Sequence, residues 1–177
     1  AAIAVRRLQQ QFPHDRGILL AVCMQLMQLD PGQAAVIPPG CLHTYLSGQA
    51  VLVMGTSDNA LHAGLTTEHV DLCELQQLTG AGQPQPAVLP VLDVGDGEQR
   101  IPLWSDDLDL RRVVVGEDPK SVRVGPFSVV LAAMDTASVT VEGATAEMLP
   151  ESKILYAGDP VTATLTGPAQ MFVASML

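Results

Sequence analysis

Aromatic side chains make up only 3% of this 177-residue chain, basic residues number 9 against 19 acidic ones, and there are three cysteines. Each scarcity excludes something. With a formal net charge of −10 and no Lys/Arg grouping beyond Arg6-Arg7 and Arg111-Arg112, the chain lacks the basic patch that nucleic acid or an anionic membrane surface would require. The acidity is uneven. Residues 1–80 hold three Arg against six acids, and residues 81–177 hold six basic residues against thirteen acids, a distribution read as serving solubility. Cys23, Cys41 and Cys73 are far apart and form no C-x-x-C pair, so neither a disulfide framework nor a zinc ribbon is expected, and a reducing cytoplasm fits best. The apolar run Ile18 to Met27 is too short to cross a bilayer and is interrupted by Gln25. No cleavable apolar core opens the chain. Histidine occurs at positions 14, 43, 62 and 69, and no two of these are spaced as H-x-H.

What is abundant points to β structure. Fifteen glycines and 13 prolines accompany a 47% hydrophobic composition, the pattern of many short strands joined by tight turns. At 18.7 kDa the chain can bury a core as one ordinary domain or two small ones.

Val5, Leu8 and Phe12 share one face, with Arg6, Arg7, Gln9 and Gln10 opposite, and Pro13 stops the pattern. A short amphipathic helix over 1–12 is expected. It starts without a capping residue, which suggests that the chain begins inside a larger protein. Apolar runs from Ile18 to Ser57, separated by Asp30-Pro31-Gly32, Pro38-Pro39-Gly40 and Gly48-Gln49, predict strands near 18–29, 33–37, 42–47 and 50–56. Asp71-Leu72-Cys73-Glu74 has capping-box form, with Val70 and Leu75 placed as a staple and Gly80 as a stop, so a second helix is expected over 72–79. The Pro/Gly stretch 81–87 reads as a linker. Beyond it, alternation at Val122/Val124, Phe127/Val129/Leu131, Val139/Val141, Val161/Ala163/Leu165 and Met171 to Leu177 marks half-buried strands. The expected organisation is 1–80, linker 81–87, and a second antiparallel sandwich or jelly roll over 88–177.

The motif that carries chemistry is Gly32-x5-Pro38-Pro39-Gly40-x2-His43. A turn at Asp30-Pro31-Gly32, a short strand and a Pro-Gly reversal that delivers one histidine resemble the second metal-binding motif of the cupin jelly rolls, which implies His43 at the mouth of a barrel. One imidazole cannot hold a catalytic zinc, which takes three protein ligands and keeps a position open. Other clusters are read blandly: Asp93-x-Gly95-Asp96-Gly97-Glu98 as a hairpin turn rather than a calcium loop, Asp106, Asp107 and Asp109 as a solvated charge run, and Cys41 as a small apolar turn residue. For Tyr45 a substrate contact and a core position are equally weighted. His62 is weighed between a surface histidine and a functional acid or base.

Leu29-x-Pro31-Gly32, Pro39-Gly40-x-x-His43-x-Tyr45-Leu46-x-Gly48, Ser57-Asp58-Asn59, Ala63-Gly64-Leu65-Thr66 and Val70-Asp71 stand in an order and spacing that resembles the type I mannose-6-phosphate isomerases (phosphomannose isomerases) of the cupin superfamily. The resemblance covers residues 8–80, with a weaker likeness over 88–177 to that family's C-terminal jelly roll, and it implies a C-terminal portion of such an enzyme. It implies a mainly β cupin fold of two jelly-roll units, the first open to being incomplete, with short helices near 1–12 and 72–79. It further implies zinc-dependent aldose–ketose isomerisation of mannose 6-phosphate and fructose 6-phosphate in the complete protein, in which three ligands come from upstream and His43 matches the fourth. Tyr45 is then a substrate-side group, and His62 stands where the family has an Arg. Leu52 replaces a family Glu, and Glu68 a family Lys, an acid that repels a phosphorylated substrate. An imidazole cannot supply the permanent bidentate charge of a guanidinium. The 177-residue chain alone is expected to be inactive. The expected partners are a sugar phosphate and either the missing N-terminal half or a second copy joined through exposed sheet edges. The alternative is a degenerate, non-catalytic cupin module that binds a sugar or another protein.

Overall fold

The computed structural model describes residues 2–57, 59–78, 85–103 and 105–177. They hold three short helices and twelve strands, so the chain is mainly β. Contacts divide it into two compact units, one of residues 1–30 with 35–87 and the other of 31–34 with 88–177.

In the first unit α1 (Ala2–Gln11) forms as its periodicity requires, with Leu8 as the buried member of its apolar face. The expected strand over 18–29 does not exist. Residues Gly17–Cys23 form helix α2 instead. A continuous apolar run is compatible with either state by periodicity alone. Here the Asp15 carboxylate accepts the Gly17 N–H at 2.7 Å and the Asp15 carbonyl accepts the Ile18 N–H at 3.3 Å, turning the chain into a helix. Strand β1 (Ala34–Val36) lies inside the expected 33–37. The strands expected over 42–47 and 50–56 are also corrected, because these residues join no ladder among the described residues. The alternation itself is present, with Val51 and Val53 half-buried and Leu52 and Met54 exposed. A strand also needs a partner to receive its N–H and C=O groups, and alternation does not supply one. Helix α3 (Leu72–Leu78) begins where the cap motif places it, the Glu74 N–H donating to Asp71 Oδ1 at 3.0 Å. Thr79, Gly80 and the linker residues 81–84 lie outside the described residues, as does Asp58 of the Ser57-Asp58-Asn59 motif.

Strand β2 (Ala87–Leu89) precedes the second unit's two antiparallel sheets. One has the order β10-β7-β12-β5-β4-β3, using Lys153–Tyr156, Ser128–Ala132, Ala169–Met176, Leu108–Val115, Glu98–Ile101 and Leu92–Gly95. The other has the order β6-β11-β8-β9, using Lys120–Val124, Val161–Thr166, Ala137–Val141 and Ala144–Met148. Their inward faces share one apolar core. From the first sheet come Val113, Val115, Val130, Ala132, Met171 and Val173, and from the second Val122, Val124, Val139, Ala163 and Leu165. The register Met171↔Val113 and Met171↔Ala132 places these residues abreast, as a sandwich requires. Tight hairpins join the strands, as at Asp96-Gly97 and Glu142-Gly143, where both residues of each pair have positive φ.

Two details depart from the sequence expectation. Over 127–131 the alternation runs in the opposite phase: Ser128, Val130 and Ala132 face the core, and Phe127 is exposed. The inward Ser128 hides the pattern because a hydroxyl looks like a solvent-facing residue. Ser128 Oγ lies 2.7 Å from both the Gly125 carbonyl and Ser175 Oγ. Secondly, Asp109 is not part of a solvated run. Its side chain is 12% exposed and sits on β5 beside Arg111, on the same inward face as Val113 and Val115, within 2.7 Å of Arg100 Nε and 2.8 Å of Arg111 Nε. Glu98 completes the group at 3.0 Å from Arg111 Nη1. Asp106 and Asp107 remain exposed.

Candidate functional site

His43 follows a turn closed by the Cys41 N–H on the Pro38 carbonyl at 3.1 Å, with Gly40 at φ 77°, a conformation glycine adopts without steric cost. The imidazole is exposed. Its Nδ1 lies 3.1 Å from the Cys41 carbonyl oxygen. A carbonyl only accepts, so Nδ1 is the donor in this contact, and in the neutral imidazole the lone pair then lies on Nε2. The Tyr45 ring meets the imidazole edge to face, with centroids 5.6 Å apart and planes at 85°. That arrangement suits aromatic quadrupoles and limits rotation of the ring. Tyr45 is 61% exposed, so it is not a core aromatic.

His62 is exposed and lies one residue before a tightly held segment. Asp15 Oδ2 accepts the Leu65 N–H at 2.8 Å, and the backbones of Gly17 and Gly64 touch. Leu52 and Glu68 are exposed, the Glu68 N–H donating to Thr66 Oγ1 at 3.0 Å. Cys41 is half-buried, with its thiol directed at the Leu42 carbonyl.

No group of three or more His, Cys, Asp or Glu side chains able to hold a metal occurs among the described residues. The residues present therefore do not fit a zinc site on their own. His43 offers one nitrogen, where a catalytic zinc takes three protein ligands. Two cavities lie in the second unit. An apolar one of about 210 Å³, lined by Val124, Val139, Ala146, Ile154 and Tyr156 among others, belongs to the second unit. The Glu98, Arg100, Asp109 and Arg111 group lines an open cleft of about 350 Å³ in the same unit. Sequence reasoning missed that group because its members sit on two strands and meet only through the β4–β5 register, in which Arg100 faces Arg111.

No protein-family model matches the chain. Mannose-6-phosphate isomerase 1 of Arabidopsis thaliana is 34% identical over 85 residues, 48% of this chain and 20% of the relative. The mannose-6-phosphate isomerase of Escherichia coli is 37% identical over 71 residues, 40% of this chain and 18% of its own length. The human enzyme is 36% identical over 87 residues, 48% of this chain and 21% of its own. The chain thus spans about a fifth of the curated relatives it matches. Among solved structures, mannose 6-phosphate isomerase from Salmonella typhimurium bound to its substrate and a zinc atom superposes with a TM-score of 0.79 at 22% identity, covering 97% of this chain and 44% of that one. Its apo form gives 0.78. At this identity the likeness establishes the fold, which is that of these isomerases.

Proposed function

This chain is a relative of the type I mannose-6-phosphate isomerases, similar in sequence to part of them and in fold to their C-terminal portion, and from that premise we propose that it serves the same isomerisation within a complete protein. The reaction interconverts mannose 6-phosphate and fructose 6-phosphate by moving a proton between adjacent carbons, which calls for a positioned base and for stabilisation of the charge on the sugar oxygens. The observation that carries the reading is the placement of His43: an exposed imidazole on a Pro-Gly turn, with Nδ1 3.1 Å from the Cys41 carbonyl oxygen, a contact that in the neutral ring leaves the lone pair on Nε2.

His43 supplies one ligand position of a zinc site whose remaining ligands come from the rest of the complete protein. Tyr45 hydrogen-bonds the sugar through its phenol in this reading, which its exposure and its packing against His43 support. His62 takes the substrate side, in the place of the family's Arg. The domain limits proposed are 1–80, a linker at 81–87, and 88–177 with a structural role. A cytoplasmic location is part of the same reading. No helix among the described residues is long and apolar enough to cross a membrane.

A second reading has support of its own. Leu52, His62 and Glu68 all depart from the charged family pattern, and the described residues gather no metal-holding group. A cupin module that binds a sugar or another protein without catalysis would look like this. Zinc analysis and an isomerase assay on the complete natural protein separate the two. About one zinc per chain, lost together with activity in His43→Ala, is the outcome expected of the enzyme. Neither zinc nor turnover in the intact protein would leave the binding module as the function.

A further inference from the structure

Both segments that carry the candidate residues are tied to the α1–α2 hairpin, and the two ties differ in strength. Arg7 on α1 donates from Nη1 to Ser47 Oγ at 2.9 Å, close to Tyr45, in an exposed bond that water competes for. The second tie is Asp15, half-buried in the turn between the helices. Its Oδ1 accepts the Gly17 N–H at 2.7 Å, and its Oδ2 accepts the Leu65 N–H at 2.8 Å. A carboxylate bridging two backbone amides makes two short charge-assisted bonds, stronger than their neutral counterparts.

The backbone beneath this bridge is shaped to allow it. A Cβ on Gly64 would stand 2.9 Å from the Gly17 Cα and 3.0 Å from Asp15 Oδ1, and a Cβ on Gly17 would stand 3.1 Å from the Gly64 Cα. Gly64 has φ 134° and Leu65 φ 55°. A leucine adopts the left-handed conformation only where surrounding contacts impose it, and the Asp15 bond to its amide is such a contact. The strained residue and the acceptor that holds it are therefore one device.

We propose that Asp15 is a positioning residue, whose carboxylate sets the Gly64–Leu65 backbone and through it the place of His62, two residues before Gly64. The proposed role is structural: each carboxylate oxygen accepts one backbone amide. The role rests on the reading of His62 as a substrate-side group. It assigns the α1–α2 turn, whose own residues include no candidate ligand or substrate contact, a part in substrate affinity.

The test uses the complete natural protein with Asp15→Ala and Asp15→Asn, each alone and combined with His62→Ala. The readouts are amide exchange over residues 62–66 and KM and kcat for mannose 6-phosphate. Asp15→Ala should raise exchange at the Leu65 amide about tenfold or more, the loss of a charged hydrogen bond. It should raise KM by about tenfold with a smaller change in kcat, as for a lost binding contribution. Asn keeps one carbonyl acceptor and should recover part of both effects. With His62→Ala present, Asp15→Ala should no longer change KM. An Asp15 effect on KM that persists without His62 overturns the proposal, as does a rise in exchange spread evenly over α1, α2 and the 62–66 segment. If the unsubstituted protein shows no isomerase activity, the proposed function fails, and the exchange measurement alone decides the role of Asp15. A loss of protection confined to 62–66 then supports it, and an unchanged Leu65 amide rejects it.

Discussion

A Cβ added to Gly64 would stand 2.9 Å from the Cα of Gly17, closer than a real Cβ approaches another carbon. Two glycines 47 positions apart are thus required by one contact. It lets the turn between two helices lie directly on the segment that carries His62.

Gly64→Ala should therefore destabilise the first unit by about 2 kcal/mol or more, combining steric overlap with the cost of a side chain at φ 134°. Gly55→Ala serves as the control. Its new Cβ would meet nothing nearer than Ser57 Oγ at 3.9 Å, and its effect should stay within about 0.5 kcal/mol. Urea titration followed by a probe in residues 2–78 checks both.

Arg111→Ala should cost about 3 kcal/mol, because it leaves the mostly buried Glu98 without its partner, leaves Asp109 with Arg100 alone, and removes the donor to the Arg123 carbonyl. Arg111 Nε and Asp109 are close as an ion pair without being aligned as a hydrogen bond. The Nη1 bond to Glu98 therefore carries more of the loss. Asp106→Asn, on an exposed neighbour, should leave the denaturation midpoint nearly unchanged.

Ser128→Ala tests the hidden phase of β7. Each hydroxyl has one proton, so Ser128 donates to the Gly125 carbonyl and accepts from Ser175. Alanine at 128 strands the buried Ser175 hydroxyl and removes the donor to the half-buried Gly125 carbonyl, and should cost about 1–3 kcal/mol. Were 128 a solvent-facing position, alanine would be close to neutral, a difference that guanidinium denaturation of the chain resolves.

His43→Ala should abolish zinc retention by the complete protein while leaving its unfolding midpoint in the presence of a chelator nearly unchanged, since the ring is exposed and packs on the exposed Tyr45. His69→Ala should retain the metal. Metal analysis after gel filtration, paired with thermal melts in chelator, reads both properties. Equal zinc content in the two variants would remove His43 from the site.

Legibility in the sequence followed the range of the interaction involved. Helix α1 was readable from Val5, Leu8 and Phe12, and the start of α3 from Asp71, because caps and periodicity act over a few residues. The Asp96-Gly97 hairpin was readable for the same reason. Residues 18–22 were not. Ile-Leu-Leu-Ala-Val suits a strand or a helix equally, and Asp15, an ordinary acid before the run, tips it to helix through two local bonds. The motif around His43 was legible as a spacing. The protonation of its Nδ1 needed the position of the Cys41 carbonyl.

The sequence by itself determined the β-rich class, the turns that punctuate the second sandwich, the helix over 2–11 and the position of the single candidate metal ligand. Each of these follows from residues near one another along the chain. Only the tertiary structure decided that Ser128 faces inward, that Asp109 is held between two arginines, that residues 51–54 alternate without a ladder, and that Asp15 clamps Leu65. These depend on cross-strand register or on contacts as much as fifty positions apart. The same side chain in the same local pattern is satisfied or exposed according to what the fold brings against it.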